Sequence, residues 1–296
     1  MSIKVNNFGG RIVWYFRVHY SNISSKVALK TVDHIYRRHN TNYIKKFFLQ
    51  KEPPLFRQVM IETINRCNGK CSFCPANVRD EKRTLKKMEN ALFTAIVEQL
   101  KTLDFKGIVY LNVNNEPFID TRILEFANHI KKEIPEVKVN IVTNGTLLTK
   151  EKLVAAAKCI DNMVINDYGE GYELSDNIKC LYDYVCANEE KFRNINILIN
   201  RRYHKEILAT RAGSAPNKPK KNFSISSPCI YPFTDLVIFP DGEVGICCND
   251  CFEVGGFGNV NTENICDIWR NEKFAELREK IAGGARTILS VRNAMW

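Results

Sequence analysis

The sequence predicts an α/β protein built on a parallel sheet, closed or partly closed into a barrel, with a small C-terminal domain appended. Three observations carry this. Strands alternate with helical stretches between residues 57 and 200, the pattern of βαβ units. The alternation stops at Arg201 and gives way at 211–228 to a loop rich in Pro, Ser, Asn and Lys. Finally, 296 residues with 45% apolar and 26% charged side chains can bury one core of about 200 residues plus additional pieces. That composition excludes wholesale disorder.

Residues 1–54 form a basic segment. Leu29, Val32, Ile35, Tyr36, Tyr43, Ile44 and Phe47 recur at broadly helical spacing, predicting a helix between about Val27 and Phe48. Pro53-Pro54 closes it, and residues 55–210 make the barrel. Residues 57–63 read as its first strand, followed by a cysteine-bearing loop. Met88, Leu92, Ile96 and Leu100 share one helix face; Ile108–Val113 is an apolar strand; Ile123–Ile130 is a helix. Val137–Val142 is a strand ending in a Thr143-Asn144-Gly145 turn. A helix near 149–158, a strand at Met163–Ile165, a helix from about Asp176 and a strand at Ile195–Ile199 follow. In residues 211–296, Asp235–Phe239 and Glu243–Ile246 flank Asp241-Gly242, a strong hairpin signal, and one final helix is expected over about 264–282. In such barrels the chemistry gathers at the C-terminal ends of the strands.

Charge is concentrated at the N-terminus. Residues 1–51 carry ten Lys/Arg against the single acid Asp33, while the remaining 245 hold 33 basic and 32 acidic side chains. The body is therefore nearly neutral, and no nucleic-acid partner is expected. The basic segment reads either as a helix packed on the barrel with a solvated face or as an attachment to an anionic membrane surface through residues 1–50. No apolar run reaches the roughly 18 residues of a membrane span, and no signal-peptide pattern opens the chain. The expected location is cytoplasmic, peripheral at the membrane if the basic segment attaches.

Eleven cysteines in such a chain point to metal ligands or catalytic groups rather than disulfides. Cys67-Asn-Gly-Lys-Cys71-Ser-Phe-Cys74 follows the first barrel strand. Three thiolates on one short loop can hold three corners of a [4Fe–4S] cube, leaving the fourth iron an open position. A structural zinc site wants four N or S ligands, commonly as paired CxxC units, and no partner pair lies nearby.

This CxxxCxxC spacing after the first strand, with Phe73 before the last cysteine, resembles the radical S-adenosylmethionine (SAM) superfamily. The resemblance covers residues 57–200 and implies a partial (β/α)6 TIM barrel. It also implies that SAM binds the open iron and is cleaved reductively to a 5′-deoxyadenosyl radical, which takes a hydrogen atom from the substrate. Asn114-Asn115-Glu116-Pro117 occupies the place of the family's GGEP stretch, with two Asn for two Gly. Asn115 and Glu116, with Thr143 and Asn144 at the next strand end, are the SAM contacts the resemblance implies. An external electron donor such as flavodoxin or ferredoxin is implied too.

Cys229-x17-Cys247, with Gly242 five residues before Cys247, resembles the SPASM and twitch subfamilies, whose small C-terminal domain holds a further [4Fe–4S] cluster. Gly258-Asn259-Val260, Ile268-Trp269 and Glu272-Lys273-Phe274 extend the likeness. The chain departs from the pattern in having no cysteine after Cys266. Either Cys251 or Cys266, with Cys248, completes a rearranged site with Cys229 and Cys247, or the second cluster is missing or incomplete and the domain is structural. Cys159, Cys180 and Cys186 read as buried small side chains.

Arg201-Arg202-Tyr203-His204, Arg211, and Tyr168, Glu170 and Tyr172 are further candidates for the cavity; solvated loop positions explain them equally well. His19, His34 and His39 lie in the basic segment, and no histidine has metal-ligand spacing to another. The resemblance leaves the substrate as a small molecule or a peptide. An oxidoreductase or epimerase on a sugar or polysaccharide precursor is the leading expectation, with a peptide maturase second. A non-catalytic iron–sulfur scaffold is the remaining alternative. An intact second cluster favours dehydrogenation; its loss favours redox-neutral outcomes such as epimerisation.

Overall fold

The computed structural model describes residues 3–6, 37–76, 84–168, 173–202, 216, 228–251, 253 and 256–284. Among the described residues eight strands form one sheet: β1 (Ile3–Asn6), β2 (Gln58–Ile61), β3 (Ile108–Tyr110), β4 (Lys138–Thr143), β5 (Asn162–Asp167), β6 (Asn196–Arg201), β7 (Asp235–Ile238) and β8 (Val244–Gly245). Their order is β1-β6-β5-β4-β3-β2-β7-β8, and all neighbours are parallel except the β7–β8 hairpin. Residues 57–202 thus supply five strands of the barrel. The sixth is β1, from the basic segment, paired Ile3 to Ile197 and Val5 to Ile199 so that apolar rows continue across the join.

A second departure from the sequence reading lies at the other edge. The Asp-Gly hairpin forms as expected, with Gly242 at φ +85°, but it is not a separate layer. β7 pairs in parallel with β2, Gln58 to Asp235 through Ile61 to Ile238. The C-terminal piece therefore extends the barrel sheet directly.

The helices are α1 (37–48), α2 (Asn90–Thr102), α3 (Ile123–Glu133), α4 (Lys150–Ala156), α5 (Asp176–Ala187), α6 (Ile265–Arg270) and α7 (Glu272–Ala282). α2 buries Leu92, Phe93, Ile96, Val97 and Leu100, and Phe93 stacks on Phe126 of α3 at 4.0 Å. The expected final helix is two helices. Asn271 interrupts it with ψ 166° and accepts the Phe274 N–H at 3.0 Å through Oδ1, the geometry of an N-cap, which Asn favours over a helix interior.

α1 packs its apolar face on the C-terminal piece. Phe47 meets Phe233 edge-on at 5.1 Å, and Asn40 Nδ2 donates to Pro228 O at 3.0 Å. The stretch from Val27 to Tyr36 lies outside the described residues. Arg278 of α7, 2% exposed, joins these parts. It donates to Pro232 O and Trp269 O at 2.9 and 2.7 Å, and its guanidinium lies 4.0 Å from the Trp269 ring centre and 5.2 Å from that of Phe47. Among the described residues no helix is long and apolar enough to cross a membrane.

The two faces of the sheet differ. A side chain on Gly145 would strike Ile165 of β5 and Ile178 of α5, so Ile165 faces the helices. Because successive strand residues alternate, Val164 and Asn166 face the barrel interior. The same face carries Asn162 and, in register with it, Asn140, Tyr110, Met60 and Val237, with Phe239 beyond the strand end. Met60, Val237 and Phe239 form a small interior cluster separate from the main core, with Tyr110, Val113 and Cys248 packed against it.

Candidate active site

The strand ends place the cysteine loop, the Asn-Asn-Glu-Pro stretch and the Thr-Asn-Gly turn in contact. Cys67, Cys71 and Cys74 are all half-buried. The Gly69 N–H donates to Cys67 Sγ at 3.3 Å. A Cβ on Gly69 would sit 3.4 Å from Cys67 Sγ and 3.8 Å from Cys71 Sγ, so both thiols turn into the space above the glycine. Burial first, then the charges of Glu116, Cys74 and Cys71, push the Cys67 thiol up to about 12. Metal ligation requires the thiolate, so loading this site releases protons and is favoured by raising the pH.

The loop is tied to the β4 end. Asn144 Nδ2 donates to Asn68 Oδ1 at 2.8 Å, and Asn68 Nδ2 donates to Thr146 Oγ1 at 2.8 Å. Nothing in the sequence singled out Asn68; its place inside the cysteine motif was the available signal.

Glu116 is 2% exposed. Its Oε1 accepts from Thr143 Oγ1 at 2.6 Å and from the Phe118 N–H at 3.2 Å, and its Oε2 accepts from the Asn144 N–H at 2.7 Å. Burial raises its pKa and these donors oppose that. The carboxylate therefore holds the next strand's turn in place. Thr143 Oγ1 also accepts the Gly145 N–H at 3.0 Å, and Asn144 Oδ1 accepts from Thr146. Of the four SAM contacts expected from sequence, Asn115 alone offers an uncommitted group. Its Oδ1 accepts the Val113 N–H at 3.0 Å, which fixes the amide orientation, and its buried Nδ2 has no partner.

Asn114 is likewise oriented by backbone. Its N–H donates to Glu62 Oε1 at 2.9 Å and its Nδ2 reaches Asp250 O at 3.4 Å, leaving a buried, unpartnered Oδ1. Asp250 lies between Cys248 and Cys251, so this motif touches the C-terminal cysteine turn.

In that turn Cys247 and Cys251 are buried and Cys248 is half-buried. Cys247 hydrogen-bonds Cys248, which raises its pKa together with burial and the nearby Cys229. Burial pushes Cys229 up to about 11, with Cys248 adding to the rise. Three thiols therefore converge, and Cys251 closes the same turn, its N–H donating to Asn249 O at 2.9 Å. Cys266 stands half-buried on α6, and among the described residues no contact joins it to the other four.

Among the described residues no three His, Cys, Asp or Glu side chains are gathered tightly enough for a single ion. Thiolates around one zinc at about 2.3 Å lie closer together than thiolates on the corners of an iron–sulfur cube. The donor set at Cys67, Cys71 and Cys74 fits a cube with one open corner.

Known families agree with this geometry. Residues 61–166 match the radical SAM superfamily model, and residues 229–287 match the SPASM iron–sulfur cluster-binding domain. The chain carries a radical SAM domain and a SPASM domain. This radical SAM enzyme binds a [4Fe–4S] cluster and SAM, and its SPASM region is of a kind that holds further iron–sulfur clusters. It is 28% identical over 235 residues to the S-adenosyl-L-methionine-dependent 2-deoxy-scyllo-inosamine dehydrogenase of Niallia circulans, covering 78% of this chain and 89% of that one. The crystal structure of BtrN in complex with AdoMet and 2-DOIA superposes with a TM-score of 0.66 at 26% identity, covering 78% and 89% of the two chains. Native anSMEcpe with bound AdoMet and Cp18Cys peptide shares the fold, at a TM-score of 0.51 and 12% identity over 77% and 84%.

The remaining candidates separate. Tyr168 lies 6.0 Å from the Phe73 ring, and the Arg202 guanidinium lies 5.9 Å from it, so both border the cysteine loop of the radical SAM enzyme. Glu170, Tyr172, Tyr203, His204 and Arg211 lie outside the described residues, as do His19 and His34. Cys159 is buried as expected, whereas Cys180 is exposed on α5, whose buried face is carried by Ile178, Leu181 and Val185.

Proposed function

We propose that this chain is a radical SAM dehydrogenase acting on a secondary alcohol of a polyhydroxylated, sugar-like ring. The observation that carries the reading is the position of the second thiol group: Cys248 packs against the interior cluster of Met60, Val237 and Phe239, so that group borders the barrel lumen. The likeness to a dehydrogenase across 78% of the chain supports it. When bound, the cluster at Cys67, Cys71 and Cys74 supplies with SAM a 5′-deoxyadenosyl radical, and a second cluster supplies an acceptor for the electron that alcohol oxidation must shed.

The chain's own residues do the holding and orienting. Asn115 Nδ2 donates to SAM; Glu116, Thr143 and Asn144 keep the β4 turn against the cysteine loop. Cys229, Cys247, Cys248 and Cys251 hold the second cluster, and Cys266 stays outside it. Residues 55–210 carry the catalytic site and 211–296 the second cluster, joined through β2 and β7. The starting electron comes from an external donor such as flavodoxin or ferredoxin. For residues 1–54, exposed Phe48 and Leu49 beside Lys45, Lys46 and Lys51 support contact with an anionic surface, which liposome co-sedimentation tests.

The deciding experiment is anaerobic turnover of the iron-reconstituted enzyme with SAM, reductant and 2-deoxy-scyllo-inosamine. Equal amounts of 5′-deoxyadenosine and a ketone lighter than the substrate by two hydrogens are expected, both lost in Cys74→Ala. Deoxyadenosine with an unoxidised ring carrying solvent deuterium would replace the dehydrogenase with an epimerase.

A further inference from the structure

Helix α1 packs with one side and carries its charge on the other. Asn40, Ile44 and Phe47 are buried against the C-terminal piece, at the spacing of a single helix face. The opposite side exposes Arg37, Arg38, Lys45 and Lys46, and exposed Lys51 follows just past the helix end. Among the described residues none of these five bases makes an ion pair. Arg57, exposed just before β2, lies with its guanidinium 4.6 Å from the Tyr43 ring of α1 and extends the basic surface. No acid occurs between Asp33 and Glu52. Glu52 itself is paired with Arg270 at 3.1 Å. Phe48 and Leu49 stand exposed within the basic run.

The same helix is seated beside the second thiol group. Asn40 Nδ2 donates to Pro228 O at 3.0 Å, and Pro228 precedes Cys229. Phe47 and Phe48 both meet Phe233 edge-on, at 5.1 and 6.1 Å. Between Cys229 and Phe233 stands Tyr231, with part of its ring in solvent and its hydroxyl near the cysteines. Burial of that hydroxyl, then the charges of Cys248 and Cys229, push its pKa up to about 12. The geometry points to the basic face of α1 as the docking surface for a small acidic redox protein that removes the electron from the second cluster.

The inference rests on the dehydrogenase reading, whose electron count requires such an exit. Oxidising one carbinol to a ketone breaks a C–H and an O–H bond. The carbon-bound hydrogen leaves as an atom to the deoxyadenosyl radical, the hydroxyl hydrogen leaves as a proton, and one electron remains for the second cluster. The electron spent on SAM enters at Cys67, Cys71 and Cys74. Each turnover therefore takes in one electron and releases one. A flavin- or iron–sulfur-bearing carrier in its oxidised form takes up the released electron. Opposite charge speeds encounter and fixes orientation more than it adds affinity, which suits a partner that must leave after one transfer. Weak redox encounters also need little apolar area, and Phe48 and Leu49 supply it. An anionic membrane would use the same charges but gain nothing from the thiol group behind them.

Full-length reconstituted enzyme is prepared as wild type, as Lys45→Glu with Lys46→Glu, and as Lys45→Arg with Lys46→Arg. Affinity for oxidised flavodoxin is measured by calorimetry, and affinity for vesicles of phosphatidylcholine and phosphatidylserine by co-sedimentation. Deoxyadenosine formed without ring alcohol, with half-reduced flavodoxin as mediator, reads electron entry. Ketone formed with the same mediator reads exit, and methyl viologen serves as a mediator that needs no docking. The glutamate pair is expected to weaken flavodoxin binding at least about tenfold at low salt and less at high salt, with the arginine pair like wild type. Ketone formed through flavodoxin should fall about tenfold, while deoxyadenosine without ring alcohol and ketone with methyl viologen stay within about twofold. An equal loss of deoxyadenosine without ring alcohol would make α1 the entry dock and overturn its role as the exit. Unchanged flavodoxin affinity would overturn the inference, whether vesicle binding is lost, which would make α1 a lipid contact, or kept. A wild type that oxidises no ring alcohol would overturn the dehydrogenase reading, and calorimetry would still decide whether α1 docks the carrier.

Discussion

The two cysteine groups are built on opposite principles. Cys67, Cys71 and Cys74 occupy one loop after one strand, and their neighbours Asn68 and Gly69 organise them from within the motif. Cys229 and the Cys247–Cys251 turn come together only because β7 joins β2, β8 folds back on β7, and α1 and α7 press the 231–233 turn into place. A local site can survive changes in distant packing. A site assembled across elements depends on all of them.

The largest expected effect is at the local site. Cys71→Ser should cut deoxyadenosine formation by at least about a thousandfold, because a cluster missing a corner ligand cannot present its open iron to SAM. Iron analysis should find the other cluster retained, so the content falls from about eight to about four per chain. Loss of all iron would show the two groups to be coupled. Next comes Cys247→Ser, which should remove a similar share of iron yet leave deoxyadenosine formation within about tenfold while ketone formation collapses. If Cys266→Ser instead costs the iron, the ligand assignment is wrong.

Arg278→Met sharpens the contrast. It leaves Pro232 O and Trp269 O without their buried donor, a loss of about 3 kcal/mol, or about 6–12 °C in Tm. It should loosen the second cluster and spare the first, as electron paramagnetic resonance of the reduced protein would show. The smallest effect is expected for Asn68→Ala, which should weaken SAM binding about threefold to tenfold by freeing the loop from Asn144 and Thr146, with iron content unchanged.

Much of the fold was legible because βαβ units announce themselves by local periodicity. β3, β4, β5 and the helices between them fall where apolar spacing put them. β1 escaped because four residues carry too little pattern to be read as a strand; its apolar pair, Ile3 and Val5, acquires meaning only opposite Ile197 and Ile199. The break at Asn271 was readable in principle, since Asn is a better cap than helix interior, but the surrounding apolar spacing concealed it. At the site, the cysteine loop was visible in the chain itself. The commitments of Glu116, Thr143 and Asn144 were not, because each partner lies on a different strand.

Sequence alone therefore singled out Cys67, Cys71 and Cys74 as the candidate cluster ligands, since residue type, count and spacing are properties of a single short segment. Tertiary structure decided which asparagines face the lumen, which cysteines meet across the hairpin, and that Asn115 keeps an unpartnered amide donor while the Glu116 carboxylate is taken up by the β4 turn. Those outcomes depend on strand order and register, and pairing between distant strands is set by the burial of whole faces rather than by any neighbouring residue.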